Sequence, residues 1–134
     1  MLLALSLFDS EVNQASDLDL EVYNAAGTLV GASGGATTAE EVNLVSPVTG
    51  VYTVRVVGYL VPVGSANFTL FNWGLGTANA GNMSVTAPAS ATIGATGAIS
   101  ITASGLTAGT KYLGSVAYSG IAGLPNPTIV RMDP

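Results

Sequence analysis

The residues best placed to do chemistry in this chain stand in one short stretch, Ser16-Asp17-Leu18-Asp19-Leu20-Glu21-Val22-Tyr23. Successive side chains of a strand point to opposite faces, so an extended backbone here puts Asp17, Asp19 and Glu21 on one side and Leu18, Leu20 and Val22 on the other. Three acids on one face can ligate a metal, act as general acid and base, meet a cation, or simply face water. Carboxylate pairs catalyse when burial or a neighbour raises the pKa of one member. Asp17 and Asp19 would stand roughly 7 Å apart along a strand, a spacing that any D-x-D strand shares. Neither a nucleophile nor a sugar-stacking aromatic accompanies them in the sequence.

Calcium makes a different demand, about six to eight hard oxygen ligands. Asp9, Glu11, Asn13, Asp17, Asp19 and Glu21 offer many within a short span. The stretch F-D-S-E-V-N-Q-A-S-D-L-D nevertheless lacks the D-x-[DN]-x-[DN]-G loop of an EF-hand. Two readings follow: Asp9, Glu11, Asp17 and Asp19 as calcium ligands, or an acidic face and loop in water.

Composition narrows the remaining chemistry. The 134 residues include no Cys and no His, which removes disulfides, thiol nucleophiles, His-ligated metals and any triad with an imidazole base. What remains is carboxylate, hydroxyl and Lys chemistry. Charged residues make up 8% of the chain, against about 25% in a typical soluble domain. The net charge of -5 argues against nucleic acid as a partner, because the three bases, Arg55, Lys111 and Arg131, lie far apart in sequence. Mean hydropathy is positive, but no apolar run approaches the roughly 20 residues of a spanning helix, so a membrane is not expected as a partner either. The opening M-L-L-A-L-S-L-F-D has no basic n-region and no small-residue cleavage site, and it reads as a strand. Low charge with many small polar residues hints at a secreted bacterial β-domain.

The elements that must position these residues read as strands throughout. Runs rich in Val, Ile, Thr, Tyr and Phe alternate with Gly, Asn, Pro and Ser clusters, and no helical stripe appears. Strands are expected at 2–8, 17–23, 28–32, 40–45, 51–58 and 66–73, then at 82–87, 97–103, 111–118 and 127–132. Asn24-Ala25-Ala26-Gly27 is hairpin chemistry, with Gly27 free to take positive φ. Pro47-Val48-Thr49-Gly50 separates two strands. G-A-S-G-G-A-T-T, residues 31 to 38, reads as a flexible loop and not a phosphate cradle, because no Lys and no helix follow. Residues 75–81 read as a linker between parts 1–74 and 82–134.

Two further placements matter. Tyr52, Val54 and Val56 share one face of V-Y-T-V-R-V-V, and Arg55 lies on the other. Arg55 is the only base in the first 100 residues, while seven of the eight acids lie before residue 42. It is either the partner of the Asp17, Asp19 and Glu21 face or a solvated side chain. In N-F-T-L-F-N-W, Phe68 and Leu70 fall on one face, and Phe71 and Trp73 on the other. Large aromatics on both faces imply that the second face is covered; an exposed aromatic platform is the other reading. Asn67-Phe68-Thr69 and Asn82-Met83-Ser84 match the glycosylation sequon, which carries no meaning in a bacterial protein.

The motifs D-L-D-L-E-V-Y-N-A-A-G-T-L-V, E-E-V-N-L, P-V-T-G-V-Y-T-V-R-V-V-G-Y and S-A-N-F-T-L-F occur in that order between Asp17 and Phe71, within a likeness that covers about residues 2 to 73. In them the chain resembles the bacterial pre-peptidase C-terminal domain. The remainder, from N-M-S-V-T-A-P to P-N-P-T-I-V-R-M-D-P, resembles the short immunoglobulin-like tail that follows this module in actinobacterial secreted subtilisin-like (peptidase S8) serine proteases. The resemblance implies an all-β chain: a jelly-roll-like β-sandwich over 1–74, then a small immunoglobulin-like segment over 82–134. The family domain carries one or two strands before the position of Leu2, so the chain is expected to begin inside it, as a fragment with an edge open to pairing with another chain.

The function this implies is a non-catalytic accessory region of a secreted serine protease, serving secretion, maturation or attachment to protein substrate. Its partners would be an upstream protease catalytic domain and a protein substrate. Related collagen-binding modules of bacterial collagenases bind calcium in a comparable region. The alternative is a carbohydrate- or surface-binding module stacking ligand on Tyr59, Phe71 or Trp73. An enzyme in its own right would have to rely on carboxylates alone.

Overall fold

A computed structural model describes residues 1–79 and 81–134. It is all-β, with ten strands: β1 Leu2–Leu7, β2 Asp17–Tyr23, β3 Leu29–Ser33, β4 Glu40–Val45, β5 Thr53–Leu60, β6 Phe71–Leu75, β7 Met83–Thr86, β8 Ser100–Ala103, β9 Tyr112–Val116 and β10 Thr128–Met132. One 3-10 turn, Asp9–Glu11, follows β1. Among the described residues no helix is long and apolar enough to cross a membrane. The chain divides into two compact units, Met1–Gly76 and Thr77–Pro134.

The first unit is a sandwich of two three-stranded antiparallel sheets, ordered β4-β1-β6 and β3-β2-β5. Strand β2 alternates as its sequence requires: Leu18, Leu20 and Val22 are buried, and Asp17, Asp19, Glu21 and Tyr23 lie on the other face. The buried three meet Leu5 and Leu7 of β1 and Val42 of β4, and Tyr52, Val54, Val56 and Leu70 pack around them. Fully burying a side chain of this size contributes about 1.5–3 kcal/mol, so this cluster is what holds the sheets face to face.

Strand β1 is paired on both sides, with β4 and with β6. The edge strands of the sandwich are β4, β6, β3 and β5.

The hairpin between β2 and β3 is built by Asn24. Its Oδ1 accepts from the backbone N–H of Ala26 (3.0 Å) and of Thr28 (2.9 Å), and Gly27, at φ 76°, closes the turn by donating to the Asn24 carbonyl. After the Pro47 turn, the Tyr52 hydroxyl donates to the Val48 carbonyl at 2.7 Å. A Tyr hydroxyl tied to backbone a few residues upstream is a corner device of β-sandwiches.

Three expectations need correction. Where the strand expected at 28–32 and the loop expected at 31–38 overlap, the strand holds and runs on to Ser33, because residues 31–33 pair with β2 opposite Val22, Glu21 and Leu20. Strand β6 starts at Phe71, not near 66. Asn13 N–H donates to the Asn67 carbonyl and Thr69 N–H to the Glu11 carbonyl, which ties residues 67–69 to the segment after β1. Phe68 makes only an isolated bridge to Val12. Leu75, expected in the linker, ends β6 opposite Leu2; of that 75–81 stretch, residue 80 lies outside the described residues.

The second unit has two two-stranded antiparallel sheets, β7-β8 and β9-β10. Leu113 is buried, Met83 lies against Gly114, and Lys111 pairs with Asp133 at 2.6 Å.

Gly31 is on the inner face of β3 directly against the buried Val42, where a β-carbon would overlap the Val42 side chain. Gly31→Val is therefore expected to lower unfolding stability by about 1–3 kcal/mol, measured by denaturant titration; an unchanged midpoint would contradict this packing.

Candidate functional site

The outer face of β3-β2-β5 carries Asp17, Asp19 and Glu21, three of the acids that the sequence singled out. Glu21 is directly opposite Arg55 in the β2–β5 ladder. Arg55 Nε is 2.8 Å from Glu21 Oε2, and the Tyr23 hydroxyl donates to the same oxygen at 2.7 Å. The guanidinium carbon also lies 5.9 Å from the Tyr23 ring centroid, within cation–π range. Glu21 thus meets one ion pair and one hydrogen bond, and Arg55 has two neighbours. The hydrogen bond to Glu21 holds the Tyr23 phenol above its usual pKa, with loss of hydration adding to it and Arg55 opposing. Arg55 remains 60% exposed, so the ion pair itself contributes at most about 1 kcal/mol.

Asp17 and Asp19 stand elsewhere on this face, opposite Leu60 and Val57 of β5 rather than opposite a base. Burial raises the Asp19 pKa, and the charges of Asp17, Glu40 and Glu21 raise it further. Among the described residues, Asp17 Oδ1 and the neighbouring Ser16 Oγ are buried without a hydrogen-bond partner.

Glu40 is an acid that its sequence context did not mark out. It is only 4% exposed, and it accepts from the Ser33 hydroxyl and from the Gly35 N–H. Thr38, also buried, donates to the Ser16 carbonyl at 2.9 Å. Together these bonds fasten the loop 34–39 onto the start of β2. The signal for Glu40 was its phase: it shares the inward face of β4 with Val42 and Leu44, since it lies opposite Leu7 as they lie opposite Leu5 and Leu3.

Asp9 and Glu11 are on the 3-10 turn after β1, whereas Asp17 and Asp19 are on β2. Among the described residues no three or more acids are grouped to hold a metal ion.

The aromatic residues form a second feature, on the outer face of β4-β1-β6. Phe71 and Trp73 are opposite Ser6 and Ala4, the small, fully buried residues of β1. Their rings stack at 5.7 Å and 16°, and Phe8 meets Phe71 edge-on at 5.4 Å. Both rings are half-buried, whereas Tyr59, at the end of β5, is 76% exposed and is not in this row.

Compared with family models, curated proteins and solved structures, the chain matches none of them.

The electrostatics of Asp19 can be measured. A carboxyl whose folded pKa exceeds its unfolded value holds its proton more tightly when folded. Its ionisation then opposes folding, and the penalty sets in as pH rises through the unfolded value toward the raised one. Asp19→Asn is expected to raise the melting midpoint at about pH 7 and to leave it unchanged at about pH 3, where both side chains are uncharged. A midpoint lowered at neutral pH would show that the Asp19 charge is answered by an attractive partner.

Proposed function

We propose that this chain is a non-catalytic accessory region of a secreted subtilisin-like serine protease, acting in secretion, maturation or attachment to protein substrate. The observation that carries the reading is the use made of the acidic strand. Its Glu21 is engaged by Arg55 and Tyr23 across an open sheet surface, an arrangement that organises a strand pair and sets no acid against a nucleophile. The resemblance adds the order of motifs: the D-L-D-L-E run is β2, E-E-V-N-L lies in β4, and the V-Y-T-V-R-V-V run enters β5. The jelly-roll and immunoglobulin-like character, the secreted location and the protease parent all belong to this proposal.

A second reading, a carbohydrate- or surface-binding module, is favoured by one feature. The stacked Phe71 and Trp73 rings lie side by side on a sheet face, a form suited to stacking a flat apolar ligand.

Retention of the intact chain on immobilised casein, collagen and insoluble polysaccharides separates the two. The first reading predicts retention on protein alone, unaffected by Trp73→Ala. Retention on polysaccharide that Trp73→Ala abolishes would favour the second, and no retention on any matrix would contradict the second reading and the attachment role in the first.

A further inference from the structure

The second unit holds two two-stranded antiparallel sheets, β7-β8 and β9-β10. A two-stranded sheet is marginal in water on its own; about three or more strands with an apolar face are needed for independent stability. What joins the two sheets therefore decides whether either of them lasts. In the β7-β8 ribbon every residue from Ser84 to Thr102 is exposed, across most of both strands and all of the connection between them. The ribbon is half-buried at one end, where Met83 and Ala103 face each other in the ladder.

From that end Met83 reaches across to β9. A β-carbon at Gly114 would stand 2.8 Å from the Met83 Sδ, 3.0 Å from its Cε and 3.9 Å from the Cε of Met132. Alternation along β9 places Tyr112 and Val116 on the same face as Gly114. Directly opposite on β10 are Val130, which faces Gly114, and Met132, which faces Tyr112. The absent side chain of Gly114 thus leaves a notch in an otherwise filled sheet face, and the Met83 thioether occupies it. Flexible and unbranched, methionine suits an irregular gap of this kind.

The sulfur that makes this contact is also the atom an oxidant attacks. The chain has no Cys, so Met1, Met83 and Met132 carry all of its sulfur. Met1 is 68% exposed, and the other two are half-buried. Oxidation turns the apolar thioether into a polar sulfoxide. An oxygen on Sδ has to share the space against the Gly114 backbone, and a polar group enclosed by apolar side chains is destabilising without a hydrogen-bond donor.

We propose that Met83 is a site of reversible oxidation by hydrogen peroxide, and that its sulfoxide releases the β7-β8 sheet from β9-β10. The sulfur lone pair attacks one peroxide oxygen, the O–O bond breaks as the S–O bond forms, and the proton of the transferred oxygen passes to the departing hydroxide, which leaves as water. Sulfur gives up two electrons and the peroxide takes them. Methionine sulfoxide reductases return the thioether, with a dithiol oxidised to its disulfide and the oxygen leaving as water. The unit that depends on this contact is thereby sensitive to oxidant, while the first unit carries no methionine in its core cluster.

The test is hydrogen exchange of the intact chain read by mass spectrometry before and after hydrogen peroxide, with the same peptides showing which methionine has gained an oxygen. Oxidation at Met83 is expected to speed exchange of the β9 and β10 amides at least about tenfold and to leave those of β1 and β2 unchanged. Treatment with reductases for both sulfoxide epimers is expected to restore slow exchange. Met83→Leu keeps an apolar side chain in the notch and is expected to make β9 and β10 indifferent to peroxide, whereas Met132→Leu is expected to respond as wild type does. Should Met83→Leu itself loosen the unit, seen as fast exchange before peroxide, the response and recovery of Met132→Leu decide, since Met83 is then the one half-buried methionine left. Met83 staying unoxidised once Met1 is fully converted, Met83 oxidised with exchange unchanged, or equal acceleration in an intact Met83→Leu would each overturn the proposal.

Discussion

Complete burial of Leu18, Leu20 and Val22 fixes the facing of every other side chain in β2. Because the strand lies between β3 and β5, a slip of one residue would turn three carboxylates into the core and three apolar side chains into water. Burying an unpaired carboxylate costs far more than any packing in the shifted register could offset, so the register is enforced strongly. From that register follow the position of Glu21 opposite Arg55, of Asp19 opposite Val57, and of the Asn24 turn that folds β3 back onto β2.

The same constraint makes the acidic face uneven. One guanidinium serves a strand of three acids, and it reaches Glu21. Glu40, from the facing sheet, is answered by hydrogen bonds from Ser33 and Gly35. Asp19 is left among like charges, with burial and repulsion acting in the same direction on its proton. A face of this kind stabilises through its aliphatic underside and tolerates its charges. In the first unit, electrostatics is a consequence of the register rather than its cause.

Much of this was legible in the sequence, because alternation in a strand is local. The ten strands, the inward Tyr52, Val54 and Val56, and the Asn24 hairpin all follow from residue types a few positions apart. The facing of Arg55 toward the acids was readable too, once β2 and β5 were taken as neighbours. What escaped depends on partners distant in the chain. Residues 67–69 continue an apparent strand pattern, yet their backbone bonds go to residues 11 and 13. Gly31 and Ser33 look like loop residues until Val42 is placed above Gly31 and Glu40 beside Ser33. Grouping Asp9 and Glu11 with Asp17 and Asp19 relied on closeness in sequence, and the intervening turn separates a short 3-10 segment from the strand.

If β2 is the element that the first unit is organised around, its backbone should be among the last to open. Hydrogen exchange followed residue by residue is the direct measurement. The amides of β2 that bond to β3 and β5, together with those of β1, should be the most protected in the chain, and those of the exposed β7–β8 ribbon far less so. Exchange of β2 as fast as that of β7 and β8 would contradict the account.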